Sequence, residues 1–278
     1  MHNPASLLTR FYPSLASKTH PRSLSWSVLF LLMVGLTVGL ARNVQAESPE
    51  TAPAQLKDAL TKIDAAATRH DVKGVMQFYA GNFKNSDGLT AGSMEKALTQ
   101  LWTRYPQLTY RTELRDWKRE GNAIVAETVT SITGTQPSNG KNAKLESTLR
   151  SRQRFEGDKI VRQDILAERT LIASGANPPN VQINLPEQVS VGQSFNFDAI
   201  VKEPVGDSIL LGTALEEPIK PDLYTKPSKF DLQLLPAGGI FKVGKAPAKP
   251  ENRWISAVLI RGDGMTMVTQ RLQVVSKQ

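Results

Sequence analysis

Apolar residues in the first third of the chain recur at helical spacing. Leu56, Leu60, Ile63 and Ala67 follow one another at intervals of four, three and four, so they share one face of a helix running from about Ala54 to Arg69. Asp71 stands where it caps a second, shorter helix with the stripe Val72, Val75, Met76 and Tyr79, ended near Gly81, and Phe83 is expected to pack beneath it. Ser93 precedes a third helix carrying Met94, Leu98, Leu101, Trp102 and Tyr105, stopped before Pro106.

From Leu108 the period changes to two. Tyr110, Thr112 and Leu114 alternate with Arg111, Glu113 and Arg115 up to a turn at Glu120-Gly121-Asn122. Strands are then expected over Ala123 to Thr135, Leu145 to Phe155 and Ile160 to Ile172. They are joined by a loop around Pro137, Asn139 and Gly140 and a tight turn at Gly157-Asp158. Strands this long predict a twisted, curved antiparallel meander with the helices on its concave face. Ser174 to Pro179, small and proline-paired, reads as a linker. Beyond it Val181 to Leu185, Ser194 to Val201, Ser208 to Ala214, Phe230 to Leu235, Trp254 to Arg261 and Met265 to Val275 are strand-like. These short strands between Gly/Pro turns predict a β-sandwich, with Glu216 to Ser228 an edge or a plain loop.

The extreme N-terminus obeys other rules. Arg10, Lys18 and Arg22 precede an uncharged apolar run from Trp26 to Ala41, and Val44-Gln45-Ala46 supplies small residues for a signal peptidase cutting between Ala46 and Glu47. The run also approaches the length of a membrane span, so residues 26–41 read either as a cleaved signal or as an anchor. Both readings send the rest of the chain out of the cytoplasm, because the basic residues stay inside. Residues 1–46 hold four basic and no acidic residues. The remainder of the chain has 30 basic against 26 acidic, a net +4 that solubility explains and that gives no nucleic-acid footprint. The chain has no cysteine, which excludes disulfides, thiol catalysis and thiolate metal sites. After Glu47 the one histidine is His70, so multi-histidine metal sites are excluded, and no metal or cofactor is expected.

The succession Ile63-Asp64-Ala65-Ala66, Asp71-Val72 and Val75-Met76-Gln77-Phe78-Tyr79-Ala80, then Phe83 and a third helix before a meander, resembles the nuclear transport factor 2-like superfamily, which includes SnoaL-like and ketosteroid isomerase-like members. The resemblance covers residues 54–173. It implies an α+β domain in which three helices and a curved antiparallel sheet form a cone with a pocket inside. Pro186, Val189 to Phe195 and the Trp254 to Val275 hairpin make residues 181–278 resemble an all-β immunoglobulin-like sandwich. The combination also resembles exported proteins of photosynthetic bacteria, which implies the periplasm, a thylakoid lumen or the extracellular space.

Isomerase chemistry of the kind this resemblance implies needs a carboxylate base and a donor pair in an apolar pocket. Asp64, Tyr79, Tyr110 and Asp116 are the candidates; the preferred reading makes Tyr79 a core aromatic with its hydroxyl at the rim and leaves the two aspartates solvated. His70 beside Asp71 is an acid/base pair only if both side chains converge, whereas Asp71 already has a capping role. Arg150, Arg152 and Arg154 share one strand face, either as an anion platform or as an outer face neutralised by Glu127, Glu146 or Glu168; Ser147, Leu149, Ser151, Gln153 and Phe155 make the better core face. Trp102, Tyr105, Tyr110 and Trp117 line a ligand pocket, a dimer interface or the core. Arg261-Gly262-Asp263-Gly264 reads as a hairpin turn. No phosphate loop, serine elbow or zinc helix is present. Tyr79, Trp102, Tyr110, Asp116 and Arg152 are thus the candidate ligand-binding residues, and no catalytic residue is assigned. The expected function is non-catalytic binding of a small molecule or a protein partner. The alternatives are an isomerase, dehydratase or cyclase, and a homodimerising structural module.

Overall fold

The computed structural model describes residues 46–138, 141–204, 209–235, 238–262 and 264–277. The apolar run 26–41 and the basic residues before it lie outside the described residues, as do Val44, Gln45, Asn139, Gly140 and Asp263. No helix among the described residues is long and apolar enough to cross a membrane.

Helix α1 (Ala54–Thr68) buries Leu56, Leu60 and Ala67, as its spacing predicts. It ends in a left-handed cap. The Asp71 N–H bonds to the Ala66 carbonyl at 2.9 Å and the His70 N–H to the Ala67 carbonyl at 3.0 Å, with His70 at φ 56° in the position usually given to glycine. Helix α2 (Val72–Met76) is capped by the Asp71 carboxylate, which accepts from the Gly74 N–H at 2.9 Å. It stops sooner than expected: Tyr79 begins a strand, β1 (Tyr79–Asn85), and Phe83 is buried in that strand. Helix α3 (Ala91–Arg104) starts earlier than expected. Thr90 is its cap, and Ser93, three residues on, returns a hydrogen bond to the Thr90 N–H.

Strands β2 (Gln107–Glu120), β3 (Ala123–Ser138), β4 (Lys141–Glu156) and β5 (Lys159–Ser174) form the meander. The chain continues through β6 (Val181–Asn184), β7 (Gln188–Ser190), β8 (Ser194–Val201), β9 (Leu210–Pro218), a 3₁₀ turn (Pro221–Tyr224), β10 (Gln233–Leu234), β11 (Gly239–Lys245), β12 (Glu251–Arg261) and β13 (Gly264–Val275). One sheet has ten strands, in the order β10-β9-β12-β13-β5-β4-β3-β2, with β1 paired to β5 and β7 to β13. The second has three, β11-β8-β6.

This corrects the expected fold class. The chain does not form a three-helix cone domain followed by a separate all-β immunoglobulin-like sandwich. Thirteen strands outweigh three α-helices among the described residues, and the meander is part of the ten-stranded sheet. The physical reason lies at β5. A meander leaves the backbone groups of its last strand unpaired, and β13 fills that edge in antiparallel register from Met265 opposite Ser174 to Gln270 opposite Arg169. Alternation reports which face a residue occupies and carries no information about which strand lies alongside.

The register also fixes the layers. Ile172 on the helix-covered face pairs with Met267, so the odd positions of β13, including Arg271, continue that face, and Leu272 and Val274 point to the other. Over the meander the helices fill one face with Leu56, Leu60, Phe83, Trp117, Phe155 and Ile160, and with Val75, Trp102, Leu108 and Leu145. On the opposite face of β9, β12 and β13 the three-stranded sheet packs through Phe195, Phe197 and Ile240 against Ile255, Leu259, Leu272 and Val274. Each such side chain contributes about 1.5–3 kcal/mol when fully buried. The described residues belong to one compact unit.

Candidate functional site

The residues nominated for chemistry divide between two faces of the meander. Trp102 on α3 and Tyr110 on β2 meet: the indole N–H donates to the Tyr110 hydroxyl at 2.9 Å, and His70, swung round by its left-handed backbone, stacks on Trp102 at 5.2 Å. Tyr79 lies edge-on to Phe83 at 4.7 Å. Burial pushes the Tyr79 and Tyr110 phenols each up to about 12, the Trp102 hydrogen bond opposing the rise at Tyr110. Asp116 and Arg152 are on the far face, around Glu127. Arg152 donates to Glu127 at 3.3 Å, and Asp116 is opposite Glu127 in the ladder. The Asp116 carboxyl is raised above its ordinary range, first by desolvation and then by the Glu127 charge. Arg150 approaches Glu127 at 4.0 Å and Glu187 at 3.6 Å, and Arg154 bonds to Glu120 at 2.9 Å, so the arginine row is neutralised.

Asp64 seals an edge. β2 ends the ten-stranded sheet, and its outward N–H groups would stand open. The Asp64 carboxylate accepts from the Thr112 N–H at 2.5 Å and the Thr112 hydroxyl at 2.7 Å, while the Thr68 hydroxyl accepts from the Tyr110 N–H at 3.0 Å. Further along, Glu47 exchanges both backbone bonds with Trp117, at 2.7 and 3.2 Å. The candidate base is thus occupied by the backbone it protects.

The most highly built polar constellation is one that sequence spacing does not reveal. Arg271 of β13 is wholly buried and grips Asp87, in the loop after β1, with two hydrogen bonds of 2.8 Å. A third, at 3.0 Å, reaches Glu168 of β5. The Tyr224 hydroxyl donates to Asp87 at 2.5 Å and the Trp254 indole N–H to Glu168 at 3.0 Å, with the two rings edge to face at 5.0 Å. Asn85 shapes the loop by accepting from the Asp87 and Leu89 N–H groups at 3.1 and 2.8 Å. Burial works against the Arg271 charge, but the Asp87 hydrogen bonds and the Glu168 and Asp87 charges outweigh it and hold the guanidinium pKa above its ordinary value. Burial, then the same two carboxylates, raises the Tyr224 phenol as well. The five residues come from the loop after β1, from β5, β12 and β13, and from the 3₁₀ turn. The network thereby ties the helix-bearing part to the C-terminal strands.

Surface concavities among the described residues include two beside the C-terminal strands. One, of about 650 Å³, is lined by Gln188, Ser190, Gln193, Val275 and Lys277; the other, of about 470 Å³, opens beside Asp87 between Pro218, Lys220 and Asn252. Neither is lined by a residue of α1, α2 or α3.

Fold and site together define a β-rich protein with one ten-stranded sheet, in which a buried ion network ties the helix-bearing part to the C-terminal strands. Residues 176–275 match the model of a domain of unknown function, DUF8623, a stretch that takes in β6 to β13 and Arg271. No curated protein matches the chain. Among solved structures, Bd1075 of Bdellovibrio bacteriovorus is similar at 18% identity over 40% of this chain and 38% of that one, with a TM-score of 0.29. A loop-truncation variant of IdmH is similar at 14% identity over 39% of this chain and 89% of that one, with a TM-score of 0.30. The chain thus spans well under half of Bd1075, and at these scores neither likeness bears on function.

Proposed function

We propose that the protein is exported and acts as a non-catalytic interaction protein, presenting a rigid two-layer scaffold to a protein partner. One observation carries this reading: on the helix-covered face the Asp64 carboxylate and the Tyr110 hydroxyl are held by structural partners, and the His70 Nε2, which has no hydrogen-bond partner among the described residues, is buried against Trp102. Asp64 holds the β2 edge, the Tyr110 hydroxyl holds Trp102, and Tyr79 packs on Phe83. The buried carboxylates are likewise held, by Arg271, Tyr224 and Trp254. A general base has to be free to reach the proton it removes. Export is the expectation from the basic, apolar and small-residue succession ending at Ala46.

Native mass spectrometry of the protein purified from its host compartment tests the proposal. The expected spectrum shows a chain beginning at Glu47 or retaining its anchor, free of any small molecule and associated with another polypeptide. A stoichiometric small molecule held by the folded chain would overturn it.

A further inference from the structure

Four strands end the two sheet paths, β1 and β7 lie beside them with one strand neighbour each, and these open edges are treated differently. β7 has three residues, and β1 is closed at its end, where the Asn85 N–H bonds to the Leu89 carbonyl and Lys84 bridges Thr90. β2 is sealed by Asp64, Thr68 and Glu47. β10 and β6 have two and four residues, too short to template a strand of the usual five or six. β11 has seven, pairs with β8 on one side, and has no strand on its other side among the described residues.

The register shows which groups face that open side. The Val201 N–H bonds to the Gly238 carbonyl and the Ala246 N–H to the Gln193 carbonyl, at the two ends of the β11–β8 ladder. Hydrogen-bonded pairs alternate along an antiparallel ladder, so Ile240, Lys242 and Gly244 turn their backbone groups to β8. Gly239, Phe241, Val243 and Lys245 therefore turn their N–H and C=O groups outward. The same residues carry the exposed apolar side chains: Phe241 is 54% and Val243 76% exposed, on the face away from the core. That core-side face is already closed at Gly244, where the Phe195 ring takes the space a Cβ would need. Lys242 between them and Lys245 after them are exposed, and β11 carries no acidic residue.

We propose that β11 is a docking edge for an extended segment of a partner protein, added as an antiparallel strand with apolar residues opposite Phe241 and Val243 and a carboxylate between them opposite Lys242. The charge selects this occupant over a second copy of the chain. A two-fold β11 pair centred on Lys242 sets Phe241 against Val243 favourably but puts Lys242 directly against its copy, and like charges so placed are destabilising; centring the pair on Val243 sets Phe241 against Lys245, and centring it on Phe241 sets Val243 against Gly239, so each of these registers loses one apolar pair. The inference rests on the non-catalytic reading and names the chemistry of the partner.

The test uses the full chain and a seven-residue peptide of alternating valine and glutamate, matched to the length of β11. Hydrogen exchange should show the Phe241 and Val243 amides protected on adding the peptide, with no protection from an alternating valine and lysine peptide. Val243→Pro should abolish this protection while leaving the fold intact, because that N–H faces outward and proline is tolerated there. Lys242→Glu should weaken binding about tenfold and favour the lysine peptide. Absence of protection, or equal binding of both peptides, overturns the proposal. So does a concentration-dependent dimer that Val243→Pro dissolves, which would make a second copy the occupant. A native complex with another polypeptide that survives Val243→Pro would overturn the β11 edge alone and leave the non-catalytic reading standing.

Discussion

Removing Asp87 from the buried network should destabilise the whole chain. Arg271 and Asp87 are both without exposed side-chain surface, and they share two hydrogen bonds of 2.8 Å. Asp87→Ala leaves a buried guanidinium with Glu168 as its remaining acidic partner and strips the Tyr224 hydroxyl of its acceptor. Breaking a buried pair from one side costs about 3–5 kcal/mol, since the surviving charge stays desolvated. Arg271→Met should cost a similar amount, now by leaving two carboxylates without a cation. The double variant should cost less than the sum by about 1–3 kcal/mol, because the second substitution removes the charge that the first left stranded. Urea unfolding monitored by tryptophan fluorescence measures this well, since Trp102 and Trp117 report on the helix-covered meander and Trp254 on the network itself. The wild type should show one transition. A loss below about 1 kcal/mol for Asp87→Ala, or strictly additive variants, would mean that the two side chains are not coupled.

The same geometry sets four further outcomes. Burial raises the Tyr79 and Tyr110 phenols to about 12, so between about pH 10 and 12 the folded chain holds protons that the unfolded chain releases. Stability contributed by these groups is complete below the unfolded pKa and lost as pH rises through the folded one. Tyrosinate absorbance from them should therefore appear together with alkaline unfolding rather than before it. Asp64→Ala should cost about 1–3 kcal/mol and speed exchange of the Thr112 amide, with little change at Lys118. Gly134→Ala should cost about 1–3 kcal/mol in urea unfolding, because a Cβ there would sit 1.9 Å from the Gln107 carbonyl oxygen, which backbone must move to relieve. Arg152→Ala should change stability by about 0–1 kcal/mol, since its contact with Glu127 is half exposed.

What the sequence discloses is local. Leu56, Leu60, Ile63 and Ala67 announce α1 because a helix writes its own period, and Leu108 to Leu114 announce β2 by strict alternation. Tyr79 deceives because it continues the helical spacing of Val72, Val75 and Met76, whereas the backbone there is taken by β5: the Ile160 N–H bonds to the Phe78 carbonyl at 2.7 Å. The ion network is illegible for a different reason. Arg271 and Asp87 lie 184 positions apart, and each looks like an ordinary strand or loop charge until β13 is laid beside β5. β11 hides because glycines bound it, lysines interrupt it, and Ile240-Phe241 breaks the alternation that marks a half-buried strand. Asp64 is visible as a candidate carboxylate, but its role depends on an edge that sequence cannot locate.

Native-state hydrogen exchange along β11, without any partner added, tests the docking edge most directly. An open edge gives an alternating pattern: slow exchange at Ile240, Lys242 and Gly244, whose N–H groups bond to β8, and fast exchange at Phe241, Val243 and Lys245, while the Thr112 amide on the sealed β2 edge stays slow. Uniform protection of the six amides from Ile240 to Lys245 in the isolated chain would mean that the edge is already occupied, and would contradict the docking edge.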